Sequence, residues 1–232
     1  MTERRSLLGV LTILAKAPGP GAKTRIAVTI GAARAEQLAE AFLRDTVAMA
    51  LSGPWQTHLA FSPASAQPLF QALAPATPLV VQPHADLGER ILHAMANAAV
   101  RGQPVVLIGT DTPDLPCEII EQAFASLSHS DIVLGPAHDG GFYLIGARRS
   151  LPKTIFSNIE WSTGTVFERT AGNARAQGLS LLTLQAWEDV DDEGSLNRLR
   201  ERLKDGGEAP ATHAALAALG ALGAEQVETT RA

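Results

Sequence analysis

Lys16, Lys23 and Arg25 stand in one short loop, Lys16-Ala-Pro-Gly-Pro-Gly-Ala-Lys-Thr-Arg25, directly after the apolar run Leu7–Leu14. Glycines let backbone N–H groups approach a ligand, and clustered cations add positive charge; together they suit a phosphate, above all a diphosphate. Lys16, Pro18, Gly19, Gly21, Lys23, Thr24 and Arg25 are therefore the expected phosphate-binding residues, with Lys23 and Arg25 placed to stabilise the reacting group. The segment is not a P-loop. That motif needs a glycine just before the Lys-Thr pair and another five positions earlier, and this chain has Ala22 and Ala17 there.

Acidic residues supply the complement. Gly109-Thr-Asp-Thr-Pro-Asp114 follows the apolar run Val105–Ile108. In an open parallel sheet, ligands collect at the carboxyl ends of strands. Asp111 then faces a phosphate held by Lys23 and Arg25. A carboxylate in that position calls for a bridging hard cation, Mg²⁺ or Mn²⁺. Asp114 is expected only to shape the turn before a helix opened by Pro116. In Glu188-Asp-Val-Asp-Asp-Glu193, Asp192 and Glu193 suit a helix start. Asp189 and Asp191 precede that helix on one side of an extended segment, and Asp191 is the expected second metal ligand.

A third constellation is Gly135-Pro-Ala-His-Asp-Gly-Gly-Phe-Tyr-Leu-Ile-Gly146. Asp139 suits a hydrogen bond to a sugar or alcohol hydroxyl, or general-base work; equally, Asp-Gly is a hairpin-turn dipeptide. Gly140 and Gly141 allow close backbone approach to a ligand. Trp161, Ser162 and Thr163 offer an aromatic plate with two hydroxyls for an acceptor, or else a core tryptophan followed by a cap. Asp86 is an N-cap candidate with Glu89 at the capping-box spacing, which leaves Arg90 within reach of an anion. Asp45 lies one helical step from Phe42 and Met49, so it faces inward and needs a partner; Arg25 is a candidate. His138 has no His or Cys nearby at metal-binding spacing.

The elements that must position these residues alternate. Candidate strands are Leu7–Leu14, Thr57–Phe61, Leu79–Val81, Val105–Ile108, Ile132–Leu134, Phe142–Ile145 and Ser180–Leu184. Ala33–Leu51 carries Leu38, Phe42 and Met49 on one stripe, and Leu87, Ile91 and Met95 step by four along a second helix. Pro116–Leu127 opens with proline, a good first-turn residue, and Glu193–Leu203 closes the folded part. The alternation predicts an α/β fold with a mostly parallel sheet and helices on both faces. Phe142–Ile145 follows Ile132–Leu134 without room for a helix, which predicts one antiparallel strand. Residues 1–204 are expected to form a single domain. Residues 205–232 are an Ala-rich tail, partly mobile, with a short helix at Ala214–Leu222.

The 232 residues suffice for one large α/β core, and 46% of them are hydrophobic. A net charge of −5 argues against nucleic acid or an anionic membrane as partner. No apolar run reaches bilayer length, and the N-terminus lacks a secretory cleavage pattern, so a cytoplasmic location is expected. One cysteine, Cys117, excludes an internal disulfide and a cysteine zinc site.

Taken in order, the Lys16–Arg25 loop, Phe42-Leu-Arg-Asp-Thr46, Asp86-Leu-Gly-Glu-Arg90, Gly109-Thr-Asp-Thr-Pro113, Gly135–Tyr143, Trp161-Ser-Thr163 and Asp189-Val-Asp191 resemble the DUF2064 family of small bacterial glycosyltransferase-like proteins. The resemblance runs from about residue 8 to about residue 203. It implies a GT-A-type, three-layer α/β/α sandwich of the nucleotide-diphospho-sugar transferase superfamily, which also includes nucleotidyltransferases. It further implies nucleotide binding over the first strand and its loop, and a divalent metal on an Asp at a central strand end, where Asp111 stands. Asp189-Val-Asp191 matches the start of a late Asp-Thr-Pro-type segment of guanylyltransferase relatives, whereas Asp192 and Glu193 replace its Thr-Pro.

Three functions compete: sugar transfer from a nucleotide-sugar to a small acceptor, with Asp139 on the acceptor side; nucleotidyl transfer from an NTP to a phosphorylated substrate, releasing pyrophosphate; and a nucleotide-binding module without turnover.

Overall fold

The computed structural model describes residues 7–99, 102–204 and 208–229. Seven strands form one sheet: β1 (Val10–Lys16), β2 (Gln56–Ser62), β3 (Leu79–Val81), β4 (Val105–Ile108), β5 (Ile132–Pro136), β6 (Phe142–Ala147) and β7 (Leu181–Thr183). Their order is β3-β2-β1-β4-β6-β5-β7, and only β6 runs antiparallel to its neighbours. The five residues 137–141 between β5 and β6 cannot make a parallel crossover, so the antiparallel strand falls where the sequence predicts it. Ile13 of β1 sits between Leu59 of β2 and Ile108 of β4. This central register brings the loops after β1 and β4 to one edge of the sheet.

Helices cover both faces. Leu11, Ile13, Leu59, Phe61 and Ile108 pack with Leu43 and Val47 of α2 (Ala32–Ser52), Phe70 of α3 (Gln67–Leu73) and Ile119 of α5 (Cys117–Ser126). Val10, Ala60, Leu107, Leu134 and Ile145 pack with Ile91 and Met95 of α4 (Leu87–Ala98) and Ala171 of α6 (Val166–Ala176). β4 reads Val-Val-Leu-Ile because it is buried on both faces. A third cluster joins Leu38 and Phe42 of α2 to Ile26 of α1 (Thr24–Ile30), Leu196 and Leu199 of α7 (Glu193–Arg202), Leu216 of α8 (Pro210–Thr229), and Val190. That cluster ties the cationic loop to the late acidic segment.

Several details depart from the sequence expectation, among them α3 and α6, which lie outside the helices named from the sequence. β1 begins at Val10; Leu7 and Leu8 are exposed, and the bare Cα of Gly9 is needed because a Cβ there would lie 2.5 Å from the Pro104 carbonyl oxygen. α1 has no counterpart among the helices read from the sequence, because Ile26-Ala-Val-Thr-Ile30 is rich in β-branched residues that favour strands; burial of Ile26 in the third cluster outweighs that preference. The Ala-rich stretch is a longer helix than Ala214–Leu222, and Asp45 explains how it docks. Asp45 is 2% exposed and accepts hydrogen bonds from the backbone N–H of Ala211 (3.0 Å) and Thr212 (2.7 Å). Its partner is thus the N-terminus of α8, where a carboxylate offsets unpaired N–H groups, and not Arg25.

His58 of β2 is 8% exposed and opposes Thr12 of β1. Neither imidazole nitrogen has a hydrogen-bond partner among the described residues, and burial lowers the His58 pKa. The folded protein therefore keeps the ring neutral, while the unfolded chain takes up a proton below about pH 6.5. Stability is expected to be fully present above that pH and to fall as pH drops through it. Urea unfolding at pH 7.5 and pH 5.5 measures this: the midpoint should fall in acid, and His58→Leu should remove part of the fall. An unchanged pH dependence in His58→Leu contradicts it.

No helix among the described residues is long and apolar enough to cross a membrane.

Candidate functional site

Lys23 is where the loop turns into α1. Its backbone is left-handed, φ 49° and ψ 49°, a region that costs a side-chain-bearing residue energy and is tolerated where surroundings enforce it. The side chain turns inward and is 9% exposed. Its Nζ lies 2.5 Å from Asp111 Oδ1, donates to Asp191 Oδ1 and to the Val190 carbonyl at 2.7 Å each, and sits over the Phe42 ring at 5.4 Å. Burial alone would lower the Lys23 pKa; Asp111, then Asp191, outweigh it, and the net shift is upward. The ammonium is charged and held. Asp111 and Asp191, 80 residues apart in sequence, are brought together on this ammonium.

Two cavities meet at Asp111. The larger, about 740 Å³, is lined by all of residues 16–25, by Arg90 and by Asp191. Lys16 and Arg25 are exposed on its wall. The smaller, about 230 Å³, is lined by Asp139, Gly141, Trp161, Ser162, Thr163 and Asp189. Asp111, Gly109, Leu87, Phe142 and Tyr143 line both. A still larger groove of about 1200 Å³ runs beside α4 and residues 147–157. The loop cations and the carboxylates that converge on Lys23 are absent from its lining; they line the two joined cavities at the strand ends, where an open parallel sheet collects ligands.

On the smaller cavity the expected residues divide. Asp139 Oδ1 accepts the Gly141 N–H at 2.7 Å, and Ala137 N–H bonds the Gly141 carbonyl at 3.0 Å. Asp139 therefore builds the hairpin turn and lines the cavity at once. Gly140 does not line it. Its φ is 87°, and a Cβ there would lie 2.2 Å from the Gly164 carbonyl oxygen, so this glycine serves backbone packing and not an acceptor. Trp161 leans on Phe156 (5.6 Å between ring centroids), and Gly88 at the start of α4 leaves room for both rings. Thr163 donates its hydroxyl to the Glu160 carbonyl at 2.7 Å, and Ser162 has φ 65°.

Asp189 gains weight over the sequence reading. Burial, then the neighbouring charges of Asp139 and Asp191, with Asp111 contributing less, push its carboxyl up to about 6. Its sequence signal was only the spacing of two from Asp191.

The acidic segment is fastened from below. Val190 N–H donates to the Asp111 carbonyl at 2.8 Å and Trp187 N–H to the Pro136 carbonyl at 3.1 Å. Arg202 of α7 donates from Nε to Asp114 Oδ2 (2.6 Å) and from Nη1 to Glu188 Oε2 (2.7 Å), while Arg198 Nε reaches Glu188 Oε1 (2.5 Å). Asp114 is thus an ion-pair partner as well as a turn former. Asp192 caps α7, accepting from Ser195 N–H at 2.8 Å in a capping box with the Ser195 hydroxyl.

The donor chemistry fits a hard divalent cation. Asp111 and Asp191 converge on one positive charge, the Lys23 ammonium, within 2.7 Å. Among the described residues no three carboxylate, imidazole or thiol groups gather into a complete protein cage. Two carboxylates suit Mg²⁺ or Mn²⁺ whose remaining positions are filled by phosphate oxygens and water.

Comparison with known proteins agrees with this architecture. Residues 46–163 match the family described as an uncharacterized protein conserved in bacteria, DUF2064. The crystal structure of a candidate nucleotide-diphospho-sugar transferase from Desulfovibrio desulfuricans G20 is 34% identical, with a TM-score of 0.86 over 93% of this chain and 96% of that one. The inositol-1-phosphate CTP transferase from T. maritima shares the fold at 12% identity and a TM-score of 0.55, over 86% of this chain and 96% of that one. A nucleotidyl transferase from Methanothermobacter thermautotroptrophicus does so at 11% identity and a TM-score of 0.55, over 85% and 98%. No curated protein matches the chain. With its central half matched by the family and its whole fold by a protein one-third identical, the chain belongs to DUF2064.

Proposed function

We propose that this protein is a nucleotide-dependent transferase that moves a sugar from a nucleotide-sugar to a small acceptor. The observation that carries the reading is the junction of two cavities at Asp111. One offers cations and glycine backbone to a diphosphate. The other offers carboxylates, hydroxyls and an aromatic plate to a polyhydroxy acceptor. In this reading Lys16, Thr24, Arg25 and Arg90, with the backbone at Pro18, Gly19 and Gly21, hold the donor phosphates, and Lys23, whose three N–H groups are committed to Asp111, Asp191 and the Val190 carbonyl, would join them once a metal takes its seat. Gly141, Trp161, Ser162 and Thr163 bound the acceptor. Asp139, with Asp189 beside it, accepts the hydrogen bond of the acceptor hydroxyl and takes its proton as the new bond forms. Asp111 and Asp191 would hold Mg²⁺ or Mn²⁺, which when bound offsets charge on the departing diphosphate. The likeness to the D. desulfuricans protein supports the donor class.

One observation keeps nucleotidyl transfer as the second reading: the exposed loop cations Lys16 and Arg25, with Arg90 on the same cavity, suit the triphosphate of an NTP as well as a diphosphate. A thermal-shift panel of NTPs and sugar nucleotides, with and without Mn²⁺, separates the readings. A ligand at a hundred times its Kd stabilises the fold by about 2.7 kcal/mol. At least one sugar nucleotide should raise Tm, more so with Mn²⁺. Shifts with NTPs alone would replace sugar transfer by nucleotidyl transfer, and no shift with either class would refute both.

A further inference from the structure

The geometry points to Gln82 as the residue that holds the Arg90 guanidinium in place for an anionic group of the ligand, an assignment that rests on the nucleotide reading of the same cavity. Gln82 follows β3 and is 6% exposed. Its Nε2 donates to the Ala15 carbonyl of β1 at 2.8 Å and to the Ala60 carbonyl of β2 at 2.7 Å. Both amide hydrogens are therefore committed to the strand ends. The amide cannot turn over, because Oε1 would then face two carbonyl oxygens. Oε1 must point the other way, and there it accepts from Arg90 Nε at 2.7 Å.

Arg90 is consequently fixed through a neutral partner. Among the described residues it forms no ion pair. It lines the larger cavity together with the Lys16–Arg25 loop, and burial lowers its pKa, the mark of a charge without compensation. With Nε occupied, the two terminal nitrogens remain to face the cavity as a planar fork, the arrangement that binds phosphate with two parallel hydrogen bonds. A carboxylate in place of Gln82 would neutralise the guanidinium; a glutamine orients it and leaves the charge for the ligand.

The test uses inorganic pyrophosphate with Mg²⁺ as the probe, titrated calorimetrically into wild type, Arg90→Met, Arg90→Lys, Gln82→Met and the Gln82→Met/Arg90→Met double variant. The Arg90 Nε–H signal is followed by ¹⁵N NMR. We expect a slowly exchanging Nε–H in wild type that is lost in Gln82→Met. Arg90→Met should weaken binding at least tenfold. Gln82→Met should do nearly as much alone but add nothing to Arg90→Met, whereas a merely structural Gln82 would weaken both backgrounds alike. Should Gln82→Met not fold, Arg90→Lys decides: it keeps the charge but lacks Nε and the fork, and should also lose about tenfold. Additive effects, a rapidly exchanging Nε–H, wild-type binding by Arg90→Lys, or no pyrophosphate binding by wild type would each overturn the assignment. If the coupling holds but no nucleotide is turned over, the transferase reading falls and the Gln82 assignment stands. If a nucleotide is turned over and the effects are additive, the reverse follows.

Discussion

Asp111→Asn is expected to lower turnover by about 10²–10³-fold, the range for removing one group that stabilises charge developing in a transition state. It should also abolish the Mn²⁺ dependence of nucleotide binding. Asp111 is the one charged residue common to both cavities on the donor and acceptor sides. The change is suited to measurement because Asp191 still faces the Lys23 ammonium and the backbone tie of this loop does not use the Asp111 carboxylate. Its side chain is 50% exposed, and the bond that ties its loop to the late segment runs from Val190 N–H to the Asp111 backbone carbonyl, which asparagine retains. Steady-state assays with the sugar nucleotide selected by thermal shift, alongside a melting curve, check it. Wild-type turnover in a folded Asp111→Asn protein removes Asp111 from the mechanism.

Arg202→Met is expected to act on stability. Arg202 bridges Asp114, whose side chain is 7% exposed, and Glu188, at 6%. Burial raises the Glu188 carboxyl, but Arg202 and Arg198 outweigh it and the net shift is downward. Removing one partner of a buried pair leaves a charge uncompensated, which costs about 3–5 kcal/mol. Arg198 still faces Glu188, so the lower end applies, about 3 kcal/mol, read as a fall in the urea midpoint. The same bridge joins α7, the loop after β4 and the segment carrying Asp189 and Asp191, so KM should rise as well. A variant with an unchanged midpoint would mean that Glu188 and Asp114 are satisfied without Arg202.

These two residues also mark how far the sequence could be read. Asp111 was legible because position carries the signal. A short buried run, Val105–Ile108, predicts a strand, and an Asp three residues beyond a parallel strand end falls at the ligand edge. The cationic loop after β1 was legible for the same reason, and β6 because five residues are too few for a crossover. Arg202 was not legible. On a helix of alternating charges it resembles a solvated residue, and its partners lie 88 and 14 positions away. Asp45 could be recognised as buried from its place between Phe42 and Met49, yet its partner, the backbone of Ala211 and Thr212, is a helix end 166 residues on. Gln82 carries no periodic signal at all. Its role exists only because β1 and β2 present two carbonyls to it. Short-range chemistry and element order are written locally; pairings made by the third layer of helices are set by where those helices dock.

The central claim is that the seat between Asp111 and Asp191, filled by the Lys23 ammonium, is the cation seat of a nucleotide site. The direct measurement is a Mn²⁺ titration by electron paramagnetic resonance, without nucleotide, of wild type, Lys23→Met and Lys23→Met/Asp111→Asn. Methionine keeps the chain beside Phe42 as far as the ε position and removes the competing charge. Lys23→Met is predicted to bind Mn²⁺ about tenfold tighter than wild type, a change of about 1.4 kcal/mol, and the added Asp111→Asn substitution is predicted to cancel the gain. Equal or weaker Mn²⁺ binding by a folded Lys23→Met would contradict the account, because the two carboxylates would then serve the lysine alone.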